Sequence, residues 1–277
     1  MVHVIAAPFC TRQLADLGAR IIKIERPGDG DFARGYDTQV EGLSSHFVWV
    51  NRSKESITLD LKQDSALAVL KNLLKTADVF IQNLAPGAAA RMGLTPEALQ
   101  KENPGLILCA ISGYGNDGPY RDKKAYDLLI QSESGFVSVT GGPDEPAKAG
   151  CSIADIAAGM YAYTSILAAL LQRGKTGKGS HIDVSMLGSM LGIANLQTSE
   201  LFGTGRDPVR LDNRRRRGYG PEREACGPVS VLVASVPAVG ESGGAVLLQR
   251  TVARDPGDGA ANEAGPVGEE QAPRSGT

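Results

Sequence analysis

Short runs rich in β-branched residues alternate with longer runs of helical apolar spacing from about residue 14 to residue 201, and this alternation restricts the possible folds more than any other feature. ARIIKIE (19–25), SITLDL (56–61), DVFIQN (78–83) and GLILCAIS (105–112) carry the strand signature. Between them, TRQLADLG (11–18) closes on a Gly suited to a helix C-cap, and SALAVLKNLLKT (65–76) spaces its apolar residues on a helical period. Thr95-Pro96 sets an N-cap before a Pro at the first helical position. Strands separated by helices pair in parallel, with the helices covering the faces of the sheet. The expected fold class is therefore α/β, a doubly wound parallel sheet with helices on both faces.

A sheet of that kind binds ligands beyond the carboxyl ends of its strands. The residues just past those ends are Arg26, Lys62, Asn83 and Gly113-Tyr114-Gly115. Each alone reads as an ordinary loop residue or solvated charge; their recurrence at four successive strand ends points to a crevice. A second feature is the helical stretch GCSIADIAAGMYAYTSILAALL (150–171), almost wholly apolar yet carrying Asp155 in its first turn. Ser152 and Asp155 stand three apart, the spacing of a capping box, and an acid there faces the positive end of the helix dipole. The same position suits a nucleophile: a carboxylate held ionised on a rigid element, with Gly150 and Gly159 allowing an electrophile close to the backbone.

The bulk properties narrow the chemistry. A net charge of −2 over 277 residues gives no overall pull toward nucleic acid or acidic membranes. Cys10, Cys109, Cys151 and Cys226 lack CxxC spacing, so neither a metal site nor a disulfide framework is expected, and free thiols fit a reducing compartment. No uninterrupted apolar run reaches the roughly 18 residues of a membrane span, and MVHVIAAPFCTRQ lacks a basic region before its apolar patch. A cytoplasmic protein is expected. Residues 214–277 contain no Lys, Ile, Phe, Trp, His or Met, too little large apolar surface to offset ordering entropy. They read as a low-complexity, disordered tail with at most a strand or two in VSVLVASVPAV (229–239). GESGG (240–244) has no later His to serve it as a nucleophile elbow, GKTGKG (174–179) reads as a tight turn rather than a phosphate loop, and the arginines at 214–217 read as solvated.

Several ordered segments carry a family likeness: APFCTRQLADLGARIIKIERPGDGD (7–31), NRSKESITLDLK (51–62), IQNLAPGAAARMGLTPEAL (81–99), SGYGNDGPY (112–120), AYDLLIQ (125–131) and TGKGSHIDVSM (176–186). Over roughly residues 4–210 the chain resembles the family III CoA-transferases, the CaiB/BaiF family. The resemblance implies a Rossmann-like large domain over residues 1–213, entered after most of its first strand, with the family's smaller second domain missing or scrambled. It implies Asp155 as the nucleophile that attacks an acyl-CoA thioester, forming a mixed anhydride and then an aspartyl-CoA thioester. Arg26, Lys62, Arg91 and Lys124 match positions near the nucleotide and phosphates of coenzyme A, where Arg forks and Lys point charges suit phosphate oxygens. Val4, Leu59, Asn83, Leu84 and Tyr126 match positions lining the CoA cleft. HFVWVNRSKESITLDLK (46–62) resembles the branch that pairs succinyl-CoA with small dicarboxylic acids, with Arg34 and Arg52 as candidate cations for the acceptor. The partners implied are acyl-CoA, a carboxylic acid and a second copy of the chain, with no metal, nucleic acid or membrane. An acyl-CoA racemase is the alternative enzyme, but Tyr126-Asp127 stands where racemases commonly place a His. A catalytically inactive CoA-binding fragment is the alternative outside enzymes.

Overall fold

The computed structural model describes residues 2–210; the expected boundary at 213 and the segment 214–277 lie outside the described residues. The elements run α1 (Ala6–Asp16), β1 (Ile21–Glu25), a 3-10 turn (Phe32–Gly35), α2 (Ser45–Asn51), β2 (Lys54–Thr58), α3 (Asp64–Leu74) and β3 (Val79–Gln82). They continue with α4 (Ala88–Arg91), α5 (Pro96–Glu102), β4 (Ile107–Ser112), α6 (Asp127–Glu133), α7 (Phe136–Val139), α8 (Ile153–Thr176), β5 (His181–Ser185), α9 (Met186–Ile193) and α10 (Asn195–Thr204). Local signals act where expected. Thr95 caps α5 by accepting the Ala98 N–H, Pro96 takes the first helical position, and Gly18 follows α1 at φ +94°.

Among the described residues the five strands pair in parallel, in two ladders rather than one continuous sheet, while two isolated bridges, Val40↔Leu43 and Gly141↔Pro146, are antiparallel. β1 pairs with β2 from Ile21↔Lys54 to Glu25↔Thr58, and a second ladder has the order β3-β4-β5. Residues 2–4 touch both ladders through side chains. Lys23 Nζ on β1 donates to the Val2 carbonyl, while the Asn83 side chain after β3 accepts the His3 N–H and donates back to the His3 carbonyl. Val4 sits at φ +62°, a conformation unfavourable for a β-branched residue and incompatible with an extended strand, so no backbone ladder joins the two sheets here.

The helix α8 is the axis of the domain. Ala154, Ala157, Ala158, Gly159, Ala162, Ile166 and Ala169 form its buried side, and small residues there let α1 approach closely. A Cβ on Gly159 would lie 2.7 Å from the Ala6 carbonyl oxygen and 3.0 Å from the Phe9 ring. Gly159 thus serves helix packing rather than the approach of a substrate, correcting the role expected from sequence. A second apolar cluster, including Ile24, Leu70, Phe80, Leu99 and Leu106, packs α3 and α5 against β1, β3 and β4. With 24 residues and a mean hydropathy of 1.4 in its most apolar window, α8 is long and apolar enough to cross a membrane, which corrects the expectation that no such segment exists. No single run is uninterrupted, because Asp155, Tyr161, Ser165 and Gln172 punctuate this helix without ending it. In the fold, its small-residue side is covered by α1, α6 and β4.

Candidate active site

A cavity of about 1220 Å³ opens between the ends of the second ladder, the turn into α1 and the first turns of α6 and α8. Val4, Asn83, Leu84, Lys124, Tyr126 and Asp155 line it together. The entry turn is anchored from below by a buried ion pair. Lys23 Nζ lies 2.6 Å from Asp31 Oδ2, and Asp31 Oδ1 accepts the N–H groups of Val4 and Ala33 at 3.0 Å each. Both charged side chains are almost wholly excluded from solvent, a placement tolerated because hydrogen bonds surround the pair. Glu25 extends this network by accepting from Arg34, Ser56 and the Asp31 N–H, and although burial opposes ionisation these bonds hold its carboxyl down at about 2.

Asp155 does not complete a capping box. Ser152 is the N-cap of α8 yet its hydroxyl makes no capping bond. The cap comes instead from another helix: Asp127 Oδ1 accepts the N–H groups of Ala154 at 2.8 Å and Asp155 at 3.3 Å. Asp127 Oδ2 in turn accepts from Gln131 Nε2 at 2.6 Å, and the fully buried Gln131 accepts the Ala149 N–H through Oε1. The orphan donors of α8 are thus satisfied across 27 and 28 residues of sequence, which leaves the Asp155 carboxyl free to face the cavity.

That carboxyl is not held ionised by the helix end, as the sequence suggested. Burial, and then the neighbouring Asp127, push it up to about 7 from an ordinary 3.8, while the Ala6 N–H at the start of α1 partly offsets both. Asp155 is partly exposed and lines the cavity. A carboxyl poised near neutrality between two helix starts can hold a proton, release it and act as a nucleophile. Tyr36 lines the same cavity, and burial together with Asp31 and Asp155 raises its hydroxyl above the ordinary range.

The remaining residues named from sequence stand at varying distances from this cavity. Lys124 is exposed on its wall and forms no ion pair among the described residues, whereas its neighbour Lys123 is paired with Glu133 and lies over the Tyr120 and Tyr114 rings. Arg26 donates to the Gly30 carbonyl and stacks 4.2 Å over the ring of Phe32, a cavity residue. Arg91 ends α4 beside Gly87, a cavity residue, but like Arg26 it does not itself line the cavity. Leu59 packs into the second apolar cluster, and Lys62 is exposed; neither lines the cavity. Arg34 and Arg52 are both engaged, the first by Glu25 and the second by Asp16, each through two hydrogen bonds. Among the described residues no group of three or more His, Cys, Asp or Glu side chains could hold a metal ion. The partnership of Asp127 with Gln131 is absent from the expectations drawn above, although an acid and an amide four apart at a helix start signal a local pair.

Comparison with known proteins places these residues in context. The profile described as CoA-transferase family III matches residues 1–232. The chain is 42% identical over 216 residues to an acetyl-CoA:oxalate CoA-transferase of Acetobacter aceti, covering 77% of this chain and 56% of that protein. It is 40% identical over 221 residues to a succinate–glutarate CoA-transferase of Agrobacterium fabrum, covering 77% and 55%. Among solved structures it resembles a CaiB/BaiF family protein from Brucella suis at 38% identity and a TM-score of 0.72, covering 76% of this chain and 57% of that one. The chain spans about half the length of the curated relatives it matches.

Proposed function

The chain belongs to CoA-transferase family III, and from that premise we propose that it transfers CoA from an acyl-CoA, succinyl-CoA by its resemblance, to a small dicarboxylic acid through Asp155. The observation that carries this reading is the shared cavity: a carboxyl near neutrality faces the same space as Val4, Asn83, Leu84, Lys124 and Tyr126, the residues matched to CoA. Relatives named for oxalate and for glutarate support a dicarboxylate acceptor.

The chemistry balances within the chain and its two substrates. The Asp155 carboxylate attacks the thioester carbonyl; the C–S bond breaks, CoA leaves as thiolate, and a mixed anhydride forms. The thiolate then attacks the Asp155 carbonyl carbon, releasing the donor as its carboxylate and leaving an aspartyl-CoA thioester. The acceptor carboxylate and the thiolate repeat these two steps in reverse order, freeing Asp155. Lys124 supplies positive charge toward CoA phosphates, and the Ala6 N–H donates to the Asp155 oxygens. Asp127 keeps the Asp155 backbone in place while its own oxygens are occupied, which favours transfer over a racemase that would need a second mobile acid. Exposed Leu191, Ile193, Leu196 and Phe202 on α9 and α10 support pairing with a second copy, as the family resemblance implies.

Incubation with succinyl-CoA followed by hydroxylamine, with peptide mapping by mass spectrometry, tests the reading. A hydroxamate on Asp155, lost in Asp155→Ala while CoA still binds, is the expected result. Exchange of the α-proton of an acyl-CoA without any adduct would support the racemase instead, and CoA binding with neither reaction would support an inactive fragment.

A further inference from the structure

A second cavity, of about 350 Å³, lies beside the start of α8 and the residue before α1. It shares no lining residue with the larger one, yet Ser152 and Ile156 flank Asp155 and Ile5 precedes Ala6. Its polar groups are contributed by Ser45, His46, Cys151, Ser152 and the Trp49 indole. Tyr36, a residue of the large cavity, packs edge-on against the ring of His46, a residue of the small one, with centroids 5.6 Å apart.

We infer that this small pocket binds a carboxylate of the acceptor acid between the Ser152 hydroxyl and the His46 ring, whose Nε2 donates when both ring nitrogens carry a proton. The inference rests on the transfer reading above and names the acceptor's place within it. Four observations carry it. First, the arginines that sequence nominated for this task are already occupied by Glu25 and Asp16. Second, His46 Nδ1 lies 3.0 Å from Asp37 Oδ2, and Asp37 is held well below the usual carboxylate range by the N–H groups of Ser45 and Gln39, the Ser45 hydroxyl and His46. An ionised Asp37 makes Nδ1 the donor in that bond and leaves Nε2 as the nitrogen available for another partner. Third, the Ser152 hydroxyl is not used in capping α8, so a second donor stands at the same wall. Fourth, Ile5 and Ile156 give the pocket an apolar side suited to the methylenes of a short diacid. A diacid anchored there would have one carboxylate held beside the helix turn that carries Asp155.

Trp49 is the only Trp in the sequence and lines the pocket, so its fluorescence reports on this site. The full chain is titrated with glutarate and, separately, with glutaramide, its neutral counterpart. The expected result is a saturable change with glutarate alone, weakened at least tenfold in His46→Gln. Because His46→Gln could also disturb the Asp37 turn, Cys151→Asp provides a second arm: it adds a negative charge at an exposed position of the same wall and should weaken glutarate by a similar factor. Glutarate should also slow iodoacetamide labelling of Cys151, followed by peptide mapping. No saturable response, equal responses to acid and amide, or unchanged glutarate affinity in both variants overturns the inference. Acylation of Asp155 without a glutarate response defeats this inference alone, whereas a glutarate response without acylation defeats the transfer reading and leaves a carboxylate pocket.

Discussion

Formation of the Asp155 acyl adduct should rise with pH through a midpoint at about 7, the value to which burial and Asp127 push its carboxyl. Only the carboxylate attacks, so the reactive fraction is about one tenth at pH 6, one half at pH 7 and nine tenths at pH 8. Single-turnover acylation at saturating succinyl-CoA should therefore speed up about tenfold between pH 6 and pH 8. Asp127→Asn tests the cause, because the Asn carbonyl still accepts the Ala154 and Asp155 N–H groups while the charge is gone. Its midpoint should fall below that of the wild type yet stay above 3.8, since burial, the larger cause, persists. The same carboxyl acts on stability with a definite sign: a folded value above the unfolded one stabilises fully below pH 3.8, and that contribution is lost as pH rises through about 7. The ceiling on this loss is about 4 kcal/mol, lower in practice because solvent in the cavity screens a partly exposed group. Rapid-quench mass spectrometry of the adduct measures the rate, and chemical denaturation of wild type against Asp155→Asn measures the stability. A rate flat from pH 6 to 8, or an unmoved midpoint in Asp127→Asn, refutes the reasoning.

Gly159→Ala should lower stability by about 1–3 kcal/mol, because its Cβ would meet the α1 backbone rather than a flexible side chain; a melting temperature equal to wild type would contradict the packing described for α1 and α8. Lys124→Ala should weaken CoA binding measured by calorimetry about fivefold to tenfold, whereas Lys62→Ala, which changes an exposed residue off the cavity wall, should weaken it less; the reverse order would show that CoA follows another path. Lys23→Met removes one partner of a buried pair and strands Asp31, at about 3–5 kcal/mol by denaturation. A change below 1 kcal/mol would mean that Asp31 takes up a proton or finds another donor at little cost.

What could be read from sequence was what depends on near neighbours along the chain. The strand runs around Ile21, Ile57, Phe80 and Leu108, the Thr95-Pro96 helix start and the Gly after α1 are local patterns, and each appears in the fold within a few residues of its expected place. The position of Asp155 in a first helical turn was equally legible. Its chemistry was not. Whether a carboxylate at a helix start is ionised depends on what surrounds it, and here the deciding neighbours are Asp127, 28 residues away, and the start of α1, 149 residues away. The same holds for Arg34 and Arg52, which read as available cations until Glu25 and Asp16 are seen against them, and for Gly159, whose missing side chain matters only because α1 lies on it. Helix and strand tendencies are short-range steric and entropic preferences that a few consecutive residues express. Burial, charge pairing and the shape of two adjoining cavities exist only once distant segments meet.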